Sequence, residues 1–389
     1  APLVALHFHR VSWVAPAANL AATVPVAMTV LLGLVGAAVW SFSPQAAVPL
    51  FSLASAGAAS IVFIAGAFAA LPFAETAVPA PGPLLAAVLV ALVSVTAFRS
   101  ARGLAVGLAV VAVVLVVVAA HARYRTDRMD LVFASVGQGD ATIVRLPGGR
   151  VIVVDAGGRG RGRLVVAPLL RRMHVGRIDY LVLTHVQTDH WGGAPYLSAD
   201  MEVGEVWHPG GGCESASFAS FLDGLVRSGV RVVDVAAHWK ARGRPVTRAG
   251  GEGWRIDAPW PRHGGRCDDN DRSVVLRIMY GDTSILLPGD LEQRAERALV
   301  GAGAALSADI LKVPHHGSAT SSTPAFLDAV GARFAVVSAG LANGYGFPRP
   351  EVVERYRERG MQLFRTDLDG AIHVVVDADG ARAVAAKHR

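Results

Sequence analysis

Cysteine is nearly absent from this 389-residue chain: Cys213 and Cys267 are the only two, 54 positions apart and without a C-x-x-C spacing. Their scarcity excludes a disulfide-built mini-protein and removes the usual donors of a closed structural zinc site. Whether the two pair or stay free thiols, they suggest no functional role. Charge is scarce as well, at 17% of residues against about 25% in an ordinary globular chain. The shortage is local. Residues 1–128 hold only Arg10, Arg99, Arg102, Arg123, Arg125, Arg128, Glu75 and Asp127, whereas the other 60 charged side chains fall in the remaining 261 residues. So uneven a distribution excludes a purely cytosolic enzyme and a disordered chain, and it predicts two domains, 1–128 and 129–389. The chain opens at Ala1 with no basic stretch ahead of its apolar sequence. That start reads as part of a longer membrane protein without a signal peptide.

Within the first third, Asn19 to Trp40 carries no charge over 22 residues, enough at about 1.5 Å per residue to cross a hydrocarbon core of about 30 Å. A second uncharged run extends from Ala46 to Ala74, followed by a hinge at Pro79, Pro81 and Pro83. Two further runs, Leu84 to Phe98 and Gly103 to Ala120, are parted only by Arg99 and Arg102 and read as a hairpin with a charged tip. The first of these is short for a full crossing. Buried helices of a soluble core are the alternative, but these segments have no wet face. Their Ala, Gly and Ser content suits close helix packing in lipid. Counting the flanking arginines favours a cytoplasmic C-terminal domain.

From Leu131 the periodicity changes. Short β-branched runs at 131–136, 141–146 and 151–155, separated by GQGD and PGGR turns, predict an antiparallel meander. Strands at 178–185 and 203–207 then alternate with helices near 164–174, after Gly193 and near 215–228. A second half repeats the style, with strands at 273–280, 284–290, 309–316, 334–339, 362–366 and 371–376 and helices from Leu291, after Thr323 and near 350–359. Two strand-rich halves with helices outside predict an α+β chain whose C-terminal part is a four-layer αββα sandwich. The Gly/Arg-rich stretch Ala241 to Gly251 reads as the loop between halves.

Of thirteen histidines, His7, His9, His121, His174, His238, His263, His373 and His388 stand alone and carry no signal. His185 and His190 differ: the strand ending at His185 runs straight into a loop holding Asp189 and His190. Asp290 ends the strand SILLPGD, and His315 and His316 end DILKVPHH. Side chains at the carboxyl ends of strands share a crevice in layered α/β folds. Imidazoles beside carboxylates there suit zinc or manganese. If the three tips converge on a cation, their donor atoms lie within roughly 5 Å of one another.

The succession VGQGDATIV, VDAGG, LTHVQTDHWGG, LLPGD, LKVPHHGS and NGYGFP, preceded by several apolar helices, resembles the ComEC family of DNA-internalisation competence proteins, with its metallo-β-lactamase-like domain. The text FHRVSWVAPAANLAATVP resembles the end of that family's membrane domain. The resemblance implies a multi-pass bacterial membrane channel for one DNA strand, working with other DNA-uptake proteins, and an appended metal-dependent nuclease for the other strand. It implies that His185, Asp189, His190, Asp290, His315 and His316 hold one or two divalent ions, with Asp189 and Asp290 also catalytic. Asp155 would orient the ligand loop. Asp140 and Asn270 are similar to family positions near the site. Arg145, Lys312 and Arg349 are the candidate DNA contacts, with Arg159, Arg161 and Arg163 beside them. Because residues 129–389 hold 31 basic and 29 acidic residues, DNA must be held by a local patch. The resemblance also implies an extracytoplasmic nuclease, against the arginine count. We follow it, since removal of the untransported strand is useful only where DNA arrives.

Two departures stand out. Gln187 occupies a position where the wider superfamily has His, and a neutral amide is a poor zinc ligand. Phe347 stands in NGYGFP where the family usually has His; His208 is a possible substitute ligand. These leave open a one-metal nuclease, a DNA-binding domain without activity, and a membrane-tethered small-molecule metallohydrolase.

Overall fold

The first two apolar runs form helices α1 (Ala15–Trp40) and α2 (Pro44–Ala69) in the computed structural model. It describes residues 10–71, 74–77, 128–173, 175–210, 215–250, 253–260, 270–377 and 380–385. The runs at 84–98 and 103–120, the proline hinge and both cysteines lie outside these residues. The chain divides into two compact units, Ala1–Leu115 and Val116–Arg389.

In the first unit, each helix starts before its uncharged run because a proline sits in the first turn, where no N–H partner is needed. Ser43 caps α2 by accepting from the Ala46 N–H at 3.4 Å. Both helices have 26 residues, with mean hydropathies of 2.1 and 2.0, and at about 1.5 Å per residue each exceeds the bilayer core. Large side chains point outward: Leu20 is 78% and Phe63 76% exposed. Small ones are buried instead, namely Gly36, Ala47 and Ala54, and a Cβ on Gly36 would sit 3.0 Å from the Phe51 ring. Apolar outside and small inside is the packing of lipid-facing helices, so this pair has the character of a membrane anchor. Strand β1 (Arg10–Ser12) pairs antiparallel with β2 (Glu75–Ala77), joining the ends of the hairpin.

The second unit is built on two sheets. The larger contains β3 (Met129–Phe133), β4 (Thr142–Arg145), β5 (Val151–Val154), β6 (Arg177–Val182), β7 (Glu202–His208), β8 (Arg231–Asp234), β16 (Ile372–Asp377) and β17 (Gly380–Ala385). Its order is β17-β16-β3-β4-β5-β6-β7-β8. The smaller contains β9 (Val246–Ala249), β10 (Trp254–Trp260), β11 (Val275–Tyr280), β12 (Thr283–Leu287), β13 (Ile310–Lys312), β14 (Phe334–Val337) and β15 (Gln362–Arg365), in the order β15-β14-β13-β12-β11-β10-β9. Strands β5 to β8 run parallel, as do β12 to β15.

Phe133, Ile152, Trp207, Ile256, Leu276 and Ile310 belong to the core shared by the two sheets. Alternation sets the register: on β16, Ile372, Val374 and Val376 are buried while His373, Val375 and Asp377 between them are half-exposed. Helix α3 (Ala167–Arg172), α4 (Thr188–Trp191), α5 (Ala194–Asp200) and α6 (Ala216–Arg227) cover the outer face of the larger sheet. On α6, Phe218, Leu222 and Leu225 recur at helical spacing and are buried there. After α7 (Val235–Arg242), helices α8 (Gln293–Gly301), α9 (Pro324–Val330) and α10 (Pro350–Glu358) cover the smaller sheet. The result is the expected αββα sandwich. One expectation fails: Ala241 to Gly251 is no plain loop, because Val246–Ala249 forms edge strand β9 against β10. Its pattern is weak, and tertiary contacts decide. Arg248 reaches Glu205 at 2.5 Å and lies 5.6 Å from the centre of the Trp207 ring.

Candidate metal centre

Past the last residues of β5 and β6, the chain delivers Asp155 and then Thr184 and His185. Asp155 takes a left-handed backbone (φ +58), a conformation that non-glycine residues keep when their surroundings enforce it. Its Oδ1 accepts from the Thr184 N–H at 2.8 Å and its Oδ2 from the Thr184 hydroxyl at 2.7 Å. The same Oδ2 lies 2.8 Å from Nδ1 of His190, at the end of the first turn of α4.

That network assigns the imidazole tautomers. His190 must donate through Nδ1, since Asp155 only accepts. Having given its proton to Asp155, the Thr184 hydroxyl accepts from His185 Nδ1 at 3.0 Å. His316, after β13, donates through Nδ1 to the Ser338 carbonyl at 2.8 Å. In the neutral rings all three Nε2 lone pairs are therefore left over, and none of the three atoms has a hydrogen-bond partner although all are buried.

They face one atom. Asp290 Oδ2 lies 3.3 Å from Nε2 of His190, 3.3 Å from that of His316 and 4.0 Å from those of His185 and His315. Lone pairs directed at a carboxylate oxygen repel unless a cation lies among them, so this donor set fits a divalent metal. Asp140, His190, Asp290 and His316, all buried, place donor atoms within 4.8 Å of one another, inside the limit expected from coordination distances.

Protons compete for the same place. Burial disfavours a charged His190, but Asp290 and Asp155 outweigh it and hold the imidazole pKa well above its usual value. His316 is raised against its burial by Asp290 and Asp140. Burial would raise Asp290, yet His316, His190 and Lys312 hold its carboxyl well below the ordinary range. His185 is pushed well down by burial and by the neighbouring charge of His190.

Lys312, expected as a DNA contact, is instead only 3% exposed. Its ammonium donates to the Gly289 carbonyl at 3.1 Å, lies 3.3 Å from Asp290 Oδ1 and pairs with Asp140. With its donors engaged inside, it balances the two carboxylates. Asp140 reaches the cage because Gly139 (φ +116) crosses the Asp189 carbonyl so closely that a Cβ would collide with it. The GQGD turn was the sequence signal for this arrangement, but the partner Lys312 comes from the other sheet.

Other candidates lie around the rim. The half-exposed Asp189 carboxylate is 4.0 Å from His190 Nε2 and 3.9 Å from His316 Nε2. His315 is held by Glu292, 3.1 Å from Nδ1, a residue that the sequence did not single out. Gln187 donates to Asn270 at 2.7 Å, and Asn270 in turn contacts Glu292 at 3.3 Å. His208 accepts from the Gly210 N–H at 3.3 Å and packs near Phe218, outside the donor group. Arg145 pairs in register with Val151 at the start of β5, the opposite end from Asp155, so the fold does not bring it to the cage. Arg159, Arg161 and Arg163 are exposed on the segment after Asp155. Arg349, also exposed, is tied by its N–H to the Gly317 carbonyl at 2.9 Å, next to His316.

Residues 134–340 match the model of the metallo-β-lactamase superfamily, and residues 1–103 match the model described as competence protein. The chain therefore belongs to the metallo-β-lactamase superfamily, and its N-terminal part is similar to competence proteins. It is 34% identical over 248 residues to competence protein ComA of Neisseria gonorrhoeae, covering 64% of this chain and 32% of that one. It is 29% identical over 257 residues to ComE operon protein 3 of Bacillus subtilis (strain 168), covering 61% and 32%. Recombination protein 2 of Haemophilus influenzae is 27% identical over 255 residues, covering 64% and 29%. The chain thus spans about a third of the length of these curated relatives.

Proposed function

We propose that this chain belongs to a membrane machine for DNA uptake and that its sandwich domain is a metal-dependent phosphodiesterase acting on the strand that is not transported. The observation that carries this reading is the set of Nε2 lone pairs around Asp290 Oδ2. A divalent zinc or manganese ion held by His190, His316, Asp290 and Asp140 would supply the positive charge that polarises a phosphoryl oxygen and acidifies a water. The chain's own residues do the rest. Asp155 fixes the His190 ring, Ser338 fixes His316, and Lys312 keeps Asp140 and Asp290 ionised. Asp189, on the open side, takes the proton from the attacking water. Arg349 and the arginines after Asp155 hold the DNA backbone without reading sequence. Since Lys312 occupies Asp290 Oδ1 and Gln187 is spent on Asn270, the reading favours one ion over two. Helices α1 and α2 cross the bilayer as part of a multi-pass region, with the sandwich on the extracytoplasmic side and other uptake proteins as partners.

A second reading, DNA binding without cleavage, draws on the same Gln187 and on Phe347. The full chain in detergent, incubated with single- and double-stranded DNA and with Mn²⁺, Zn²⁺ or chelator, decides between them. Metal-dependent degradation that disappears in Asp290→Asn is the expected result. Salt-sensitive binding with no cleavage under any metal overturns it in favour of the second reading, and turnover of a lactone or β-lactam but not DNA overturns both.

A further inference from the structure

Among the motifs of the sandwich domain, the loop from Gly340 to Arg349 supplies no residue to the metal cage. Asn343 holds it in shape: its side-chain amide donates to the Gly340 carbonyl at 2.9 Å and the Phe347 carbonyl at 2.7 Å, and its Oδ1 accepts from the Phe347 N–H at 3.0 Å. On this frame the Tyr345 and Phe347 rings lie nearly parallel, 17° apart with centroids 5.6 Å from each other. Phe347 meets the His315 ring edge-on at 5.6 Å, and the Arg349 guanidinium carbon lies 5.8 Å from the Phe347 centroid. Tyr345 is 62% exposed and Leu341, in the same loop, 75%.

The largely exposed Tyr345 ring, backed by Phe347 beside a charged cage, offers an aromatic face on which a planar group can stack. A ligand that uses both this face and the charges is planar in one part and carries an anion to the cage and to Arg349 in another. An unpaired nucleobase meets both demands, because stacking on aromatic faces beside cationic side chains is how sequence-tolerant single-strand sites hold bases. A base inside a duplex does not, as its faces are already stacked. Phe347, where a histidine would have offered a ligand or a proton, here supplies a face.

We propose that Tyr345 and Phe347 form a stacking platform for one unpaired base of a DNA strand whose phosphate lies at the cage, with Arg349 on the neighbouring phosphate. The inference rests on the phosphodiesterase reading and sharpens it: the strand must be single, or frayed, where it enters the site. Arg349 contacts phosphate directly, whereas the two aromatic residues set which form of DNA is accepted.

The test uses the full chain in detergent with chelator present, so that binding is measured without cleavage. A short fluorescent oligothymidylate is compared with a series carrying one abasic nucleotide walked along its length. The wild-type chain is expected to lose about tenfold to a hundredfold in affinity when the abasic position meets the platform. Y345L and F347L should bind both forms alike, while F347Y, which keeps a ring, should retain the discrimination. If the wild type binds every abasic oligonucleotide as tightly as the parent, or if the discrimination survives in both leucine variants, the platform is overturned. Restoring Mn²⁺ or Zn²⁺ to the same samples tests the parent reading separately. Discrimination without cleavage keeps the platform and overturns the phosphodiesterase, whereas cleavage without discrimination does the reverse.

Discussion

The inner wall of the site and its rim are made of similar residue types held in opposite ways. On the wall, Asp140, His190, Asp290, His316 and Lys312 are buried and each is fixed by a partner from a different strand end. On the rim, His315, Glu292, Asn270 and Gln187 are linked to one another, and the half-exposed Asp189 stands beside His190 and His316. Burial makes each charge on the wall dependent on its neighbours, since an uncompensated ion in a low-dielectric interior is expensive. Rim groups keep water as an alternative partner. Substitutions should therefore be severe within the wall and mild around it.

The largest effect is expected for Lys312→Met, which keeps the length of the side chain and removes its charge. It leaves Asp140 and Asp290 facing each other in the interior, and thermal unfolding of the metal-free chain should show a loss of about 3–5 kcal/mol. Added metal should recover much of it, because a cation then replaces the ammonium; equal loss with and without metal would erase the distinction drawn between wall and rim. Next comes Asp155→Asn. The amide can no longer accept from both Thr184 and His190, and metal affinity measured by competition with a chelating dye should fall about tenfold to a hundredfold.

Acidity sharpens the comparison further. Asp290, with Asp155 at one ring and Asp140 at the other, raises the pKa values of His190 and His316, so protons compete with a metal ion for their Nε2 atoms and must leave as metal enters. Affinity should thus climb as the pH rises through the titration of these two rings and fall as it drops. Calorimetry in buffers of different ionisation enthalpy should register protons released on binding. The smallest effect belongs to Gln187→Ala, which gives up a rim hydrogen bond worth about 1 kcal/mol and should change metal affinity by less than about twofold. A larger loss would place Gln187 with the wall.

What the sequence alone can tell follows the same division. His185, Asp290 and His316 are legible as neighbours because each ends an apolar strand, with His190 in the loop after the first, and strand ends on one edge of a layered fold share a crevice, whereas Asp155 is legible only through the family resemblance. The two long apolar helices are legible from the absence of charge alone. Lys312 is not, since a lysine within an apolar strand looks like a surface group until Asp140, from the opposite sheet, is seen beside it. Glu292 escapes notice because one acidic residue after GDL reads as the start of a helix. The edge strand at Val246–Ala249 is hidden for a related reason: four residues among glycines and arginines carry almost no period, and the contact that fixes them, Arg248 with Glu205, spans 43 positions of chain.

The buried ammonium of Lys312 has a consequence for the order of events in the life of the molecule. Small zinc-dependent domains collapse only when their ion arrives, because nothing else can quiet the repulsion among their ligands. Here a resident positive charge already sits against two of the acids, so the sandwich can close first and collect its ion afterwards. Maturation then becomes two independent steps, and scarcity of metal would leave a folded protein waiting and not a misfolded one.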